Sequence, residues 1–90
     1  MKTYRFLVSG KVQGVWYRKY VSQAAEENGF VGYVKNLPDG RVEAVANIEN
    51  EERLSRFIDI LKKGSPLSKV EKIEIEEIPF KNFENFEIRY

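Results

Sequence analysis

A chain of 90 residues with 42% apolar and 13% aromatic side chains supports one domain around one core and is too short for two. Its 15 basic and 14 acidic side chains leave a net charge of +1, which excludes a broad field for nucleic acid or an anionic membrane, so any anion preference must be local. Without cysteine or histidine there is no disulfide, no thiolate metal site, no thiol nucleophile and no imidazole base.

In chain order, Tyr4, Phe6 and Val8 alternate with Arg5, Leu7 and Ser9 and predict a first strand with an apolar face. Ser9 to Arg18 then passes two glycines into a helical pattern. Tyr17, Tyr20, Val21, Ala24 and Ala25 share one face of a helix running from Tyr17 to Asn28, with Gly29 at its end. Phe30–Lys35 and Arg41–Asn47 read as two strands of a hairpin whose turn, Asn36-Leu37-Pro38-Asp39-Gly40, carries strong turn residues. Asn50 caps a second helix with Leu54, Phe57, Ile58 and Leu61 inward, Lys62 and Lys63 in its last turn, and Gly64-Ser65-Pro66 as its stop. Val70–Ile78 is a fourth strand, in which the Glu76-Glu77 pair breaks the alternation and marks a bulge. Phe86, Ile88 and Tyr90 give a short fifth strand. The order β-α-β-β-α-β plus a last strand predicts an α+β, ferredoxin-like fold, with two helices on one face of an antiparallel sheet. Residues 1–90 form a single domain in this reading. There is no secretory leader pattern and no apolar run of membrane length, so a cytoplasmic chain is expected.

The chemistry concentrates in the first loop. Gly10 and Gly14 permit backbone angles that turn successive amides toward one point at the positive end of a helix. Arg18 adds a permanent charge and a fork of donors matched to two phosphate oxygens. Lys11, Lys19, Lys35 and Arg41 can raise the potential nearby. Glu26 and Glu27 lie off the apolar stripe, and Glu71, Glu74, Glu76 and Glu77 read as a solvated sheet face with no histidine partner for a metal. The Tyr90 carboxylate is available to pair with an arginine that the sequence does not single out.

Two stretches, Gly10-Lys11-Val12-Gln13-Gly14-Val15-Trp16-Tyr17-Arg18 and Gly32-Tyr33-Val34-Lys35-Asn36-Leu37-Pro38-Asp39-Gly40-Arg41-Val42-Glu43, closely resemble the two signature segments of the acylphosphatase family. The Gly64-Ser65-Pro66 segment and the closing Phe86-Glu87-Ile88-Arg89-Tyr90 also look like that family. The resemblance implies metal-free hydrolysis of the carboxyl-phosphate bond of acyl phosphates with no phosphoenzyme and no cofactor. It makes Arg18 the phosphate-binding arginine, the amides of Gln13, Gly14, Val15, Trp16, Tyr17 and Arg18 the phosphate cradle, and Asn36 the residue that positions the attacking water. The expected partners are small acyl phosphates and inorganic phosphate, with no nucleic acid and no membrane, and the expected state is a monomer.

The residue inventory suits that substrate class. An asparagine amide orients a water but takes no proton from it at neutral pH, so the leaving group must depart without protonation, as a carboxylate does. The chain departs from the family pattern at Trp16-Tyr17, where phenylalanine usually precedes the arginine. Tyr17 then carries a hydroxyl in a core position that must find a partner, and Trp16 either narrows the mouth of the cradle, stacks on an aromatic acyl group, or packs within the loop. A noncatalytic anion-sensing or interaction domain on the same cradle is the alternative, since such a domain also occurs within larger hydrogenase-maturation proteins.

Overall fold

The computed structural model describes residues 1–90 and contains seven elements in the expected order: β1 (Lys2–Lys11), α1 (Tyr17–Glu27), β2 (Gly32–Asn36), β3 (Val42–Ile48), α2 (Glu51–Lys63), β4 (Lys69–Ile78) and β5 (Phe86–Arg89). The strands form one sheet in the order β4-β1-β3-β2-β5. β1 lies antiparallel between β3 and β4, and β2 is antiparallel to β3.

Two expectations about the sheet are corrected. The sheet is mixed, because β5 runs parallel to β2 from the Gly32–Phe86 pair to the Lys35–Arg89 pair. The cause is the path of residues 79–85, which cross the end of the sheet where β1 begins and β3 finishes. There the Lys81 amide donates to Thr3 Oγ1 at 3.1 Å, and Asn47 Nδ2 donates to the Lys81 carbonyl at 2.9 Å. The chain therefore enters β5 at the end where β2 starts. The bulge is also not at Glu76-Glu77, which pair in register with Arg5 and Tyr4. The register shifts between Ser9 and Gly10, opposite Lys72 and Val70, and leaves Glu71 unpaired. It falls there because a Cβ on Gly10 would lie 2.2 Å from the Lys69 carbonyl oxygen, so only glycine admits the approach.

Both helices cover one face of the sheet. Phe6 and Val8 of β1, Val34 of β2 and Val42, Ala44 and Ala46 of β3 are buried there against Val21 and Ala25 of α1 and Phe57 and Leu61 of α2. Phe57 is the centre of this layer, its ring 4.9 Å from Phe6, 5.0 Å from Phe30 and 6.0 Å from Phe86. Burying each of the larger of these side chains stabilises the fold by roughly 1.5–3 kcal/mol. Tyr20, expected on the inner face of α1, is 44% exposed. Asn50 caps α2 as expected, its Oδ1 accepting from the Arg53 amide at 2.9 Å. On the uncovered face Glu76 reaches Arg5 and Glu74 reaches Arg41 and Lys72, while Glu77, opposite Tyr4 at the sheet's end, reaches Lys2.

Candidate active site

The loop between β1 and α1 is fixed from its buried side. Val12 and Val15 turn into the core. Gly14 has φ of 74° with nothing near its missing Cβ, so the need for glycine there is purely conformational. Trp16 is the one non-glycine residue with positive φ, 66°, a conformation that costs an L-residue roughly 1–2 kcal/mol. Ser65 Oγ donates to the Val15 carbonyl at 2.6 Å. In a trans peptide the carbonyl and the following N–H point opposite ways, so this bond aims the Trp16 amide away from Ser65. The Trp16 carbonyl accepts from the Tyr20 amide at 3.1 Å and opens the helical ladder. Every backbone amide from Gln13 through Lys19 is left without an acceptor in the chain. The result is a continuous run of free donors at the positive end of α1.

That run borders a cavity of about 460 Å³. Of the residues expected in the cradle, Gly14, Trp16, Tyr17 and Arg18 line it, while Gln13 and Val15 do not. Asn36, the last residue of β2, lines the same cavity and so joins Arg18 there from 18 positions away in sequence. Its Oδ1 is buried without a hydrogen-bond partner. An unpaired buried acceptor typically costs ~1–3 kcal/mol, and such atoms are tolerated where function requires them.

Arg18 is half-buried at the first turn of α1. One of its five N–H groups is committed, from Nη1 to the Arg89 carbonyl at 3.2 Å, and its Cζ stands 4.8 Å from the centroid of the Tyr90 ring. Arg18 thus meets the C-terminal segment through a carbonyl and an aromatic face, in place of the ion pair to the Tyr90 carboxylate. Among the other cations considered, Lys19 lines the cavity, with its Nζ 5.4 Å from the Trp16 ring centroid. Lys11 and Lys35 lie outside it. Arg41 is tied to Asp39, Nε to Oδ2 at 2.8 Å, and to Glu74 at 3.6 Å. The Arg41 backbone N–H, with its side chain adding to the effect, holds the Asp39 carboxyl below its usual range.

Tyr17 settles the question raised by its hydroxyl: the phenol donates to the Leu61 carbonyl at 2.8 Å. Burial pushes this phenol well above its ordinary pKa. Its ring fits against Gly64, where an added Cβ would stand 2.6 Å from it. Ile88 and the Tyr90 ring also line the cavity. Alternation marks Ile88 as inward, but nothing local in the sequence shows that β5 lies beside β2. Ser65 carries no signal of its own beyond its place in a helix stop.

Fold and loop together define a ferredoxin-like domain with an amide-rich, cationic pocket at one end of the sheet. The family model for acylphosphatases matches residues 4–88. The acylphosphatase of Archaeoglobus fulgidus is 45% identical over 92% of both chains. The crystal structure of acylphosphatase from Bacillus subtilis superposes with a TM-score of 0.91 at 41% identity and full coverage of both chains. The crystal structure of HypF from T. kodakarensis matches 98% of this chain at 44% identity and a TM-score of 0.79, but over 12% of its own length. The chain belongs to the acylphosphatase family.

Proposed function

We propose that this protein hydrolyses the carboxyl-phosphate bond of small acyl phosphates to a carboxylate and inorganic phosphate. The observation that carries the reading is the single cavity lined by Arg18, Asn36 and residues of the loop whose amides are free at the start of α1. The phosphoryl oxygens are held by the loop amides and the uncommitted donors of Arg18. The Asn36 side-chain amide, at the edge of the cavity, hydrogen-bonds a water and directs its oxygen at phosphorus. As the new P–O bond forms, the bond to the acyl oxygen breaks; the carboxylate leaves without a proton, and both water hydrogens end on the phosphate. Positioning and charge stabilisation are then enough, and no base of intermediate pKa is required. The cavity lining contains no Asp, Glu, His or Cys, which fits a reaction run without a metal ion. The protein is read as a cytoplasmic monomer.

The match to a small part of HypF shows this fold within a longer chain, and a second reading is a domain that binds an anion without turning it over. One assay separates the two. With a chelator present, wild type is expected to hydrolyse an aromatic acyl phosphate, and folded Arg18→Ala and Asn36→Ala variants to lose most of that rate. Phosphate binding by folded wild type without turnover would establish the second reading.

A further inference from the structure

The Gln13 side chain points away from the cavity, toward the turn between β2 and β3. Its Nε2 donates to the carbonyl oxygens of Leu37 and Arg41, both at 2.8 Å, so both amide protons are used. Those carbonyls already close the turn through backbone bonds, with the Leu37 amide donating to Arg41 at 2.8 Å and the Gly40 amide to Leu37 at 3.2 Å. The hairpin therefore does not need Gln13 in order to form. Gln13 adds a fixed separation between two segments that are 24 and 28 residues apart in sequence. On one side of it is Gly14, whose backbone lines the cavity; on the other is Leu37, the residue after Asn36. Asn36 Oδ1 has no hydrogen bond of its own to hold it, so the place of this side chain beside the cavity is set by the backbone that carries it.

We propose that Gln13 is a positioning residue, whose side chain locks the β2–β3 turn to the anion loop and so sets the distance between the attacking water on Asn36 and the phosphoryl group. The inference rests on the hydrolytic reading above. A displacement of about 1 Å in a reacting group can cost on the order of 100-fold in rate, so two bonds that hold this distance act on turnover more than on binding.

The test uses the full chain with Gln13→Leu and Gln13→Glu, each in the wild-type and Asn36→Ala backgrounds, after folding is checked by circular dichroism. Inorganic phosphate serves as a competitive inhibitor that reports the cradle alone. Gln13→Leu is expected to lower kcat roughly 10- to 100-fold while the phosphate inhibition constant stays within about 2-fold. Its effect should largely vanish when Asn36 is already alanine, because coupled residues are non-additive. In Gln13→Glu a carboxylate faces two carbonyl oxygens, which favours its protonated form; kcat should recover as pH falls and the acid regains a proton to donate, whereas Gln13→Leu should show no such recovery. Equal losses in kcat and phosphate affinity, or a loss undiminished in the Asn36→Ala background, would overturn the inference while leaving the hydrolytic reading intact. A folded wild type without turnover would overturn both.

Discussion

Tyr17 donates its phenolic hydrogen to the Leu61 carbonyl at 2.8 Å, and this bond joins the first turn of α1 to the last turns of α2 directly behind the anion loop. The acceptor lies in the stretch where a helix runs out of intrahelical donors, so the hydroxyl satisfies a carbonyl the helix cannot. Tyr17→Phe leaves that buried carbonyl unpaired and should destabilise the protein by about 1–2 kcal/mol in urea unfolding.

Burial of the same phenol has a pH signature. The folded-state phenol pKa is raised above its unfolded value, so its contribution to stability is fully present below the unfolded pKa of about 10 and is lost as pH rises beyond it. Tyr33 shifts in the same direction, through burial first and its hydrogen bond to Glu43 second, and is present in both proteins. Stability measured from neutral pH to pH 11 should therefore fall more steeply for wild type than for Tyr17→Phe. Parallel curves would show that the buried phenol is not responsible.

Ser65→Ala removes the donor that orients the Val15–Trp16 peptide. The buried carbonyl it leaves should cost ~1–3 kcal/mol, and the freed peptide should weaken inhibition by inorganic phosphate several-fold. Weaker stability with unchanged phosphate affinity would assign Ser65 to the fold alone.

Trp16 combines φ of 66° with a ring that is 67% exposed, so little burial offsets its backbone conformation. Trp16→Gly should be more stable than Trp16→Ala by about 1 kcal/mol, since only glycine adopts this conformation freely. Because the ring borders the cavity, both variants should lose more kcat/KM on aromatic than on acetyl phosphates. Equal losses on the two substrates would make the ring a loop-packing group.

Turnover should be flat over about pH 6–8, since the chain has no histidine or cysteine and the proposed step uses no general base. Saturating kcat measurements across that range, with and without chelator, provide the check. A bell-shaped profile or a chelator-sensitive rate would reject the mechanism.

The regular elements were legible because each follows a local rule. Phe6 and Val8 alternate inward as expected, Phe57 and Leu61 fall on one helical face, and Asn50 caps α2 through its own side chain. The loop glycines were legible because Gly10 and Gly14 sit where a strand must turn into a helix, and both have positive φ. The direction of β5 and the bulge at Gly10 were not legible, since each depends on which strand lies alongside. The glutamate pair broke the hydrophobic period, but a period records which face a residue occupies and says nothing of ladder register.

The sequence by itself determined the chemical vocabulary: one arginine at a helix start, one asparagine at a strand end, glycines that allow the loop, and no histidine or cysteine to support a base or thiolate mechanism. Only the tertiary structure decided how these groups meet. The antiparallel β2–β3 pairing and the Gln13 bonds carry Asn36 to the cavity that Arg18 lines, while the parallel seating of β5 brings Ile88 and Tyr90 there. These contacts join residues far apart in the chain. They depend on sheet order and packing that no local pattern encodes.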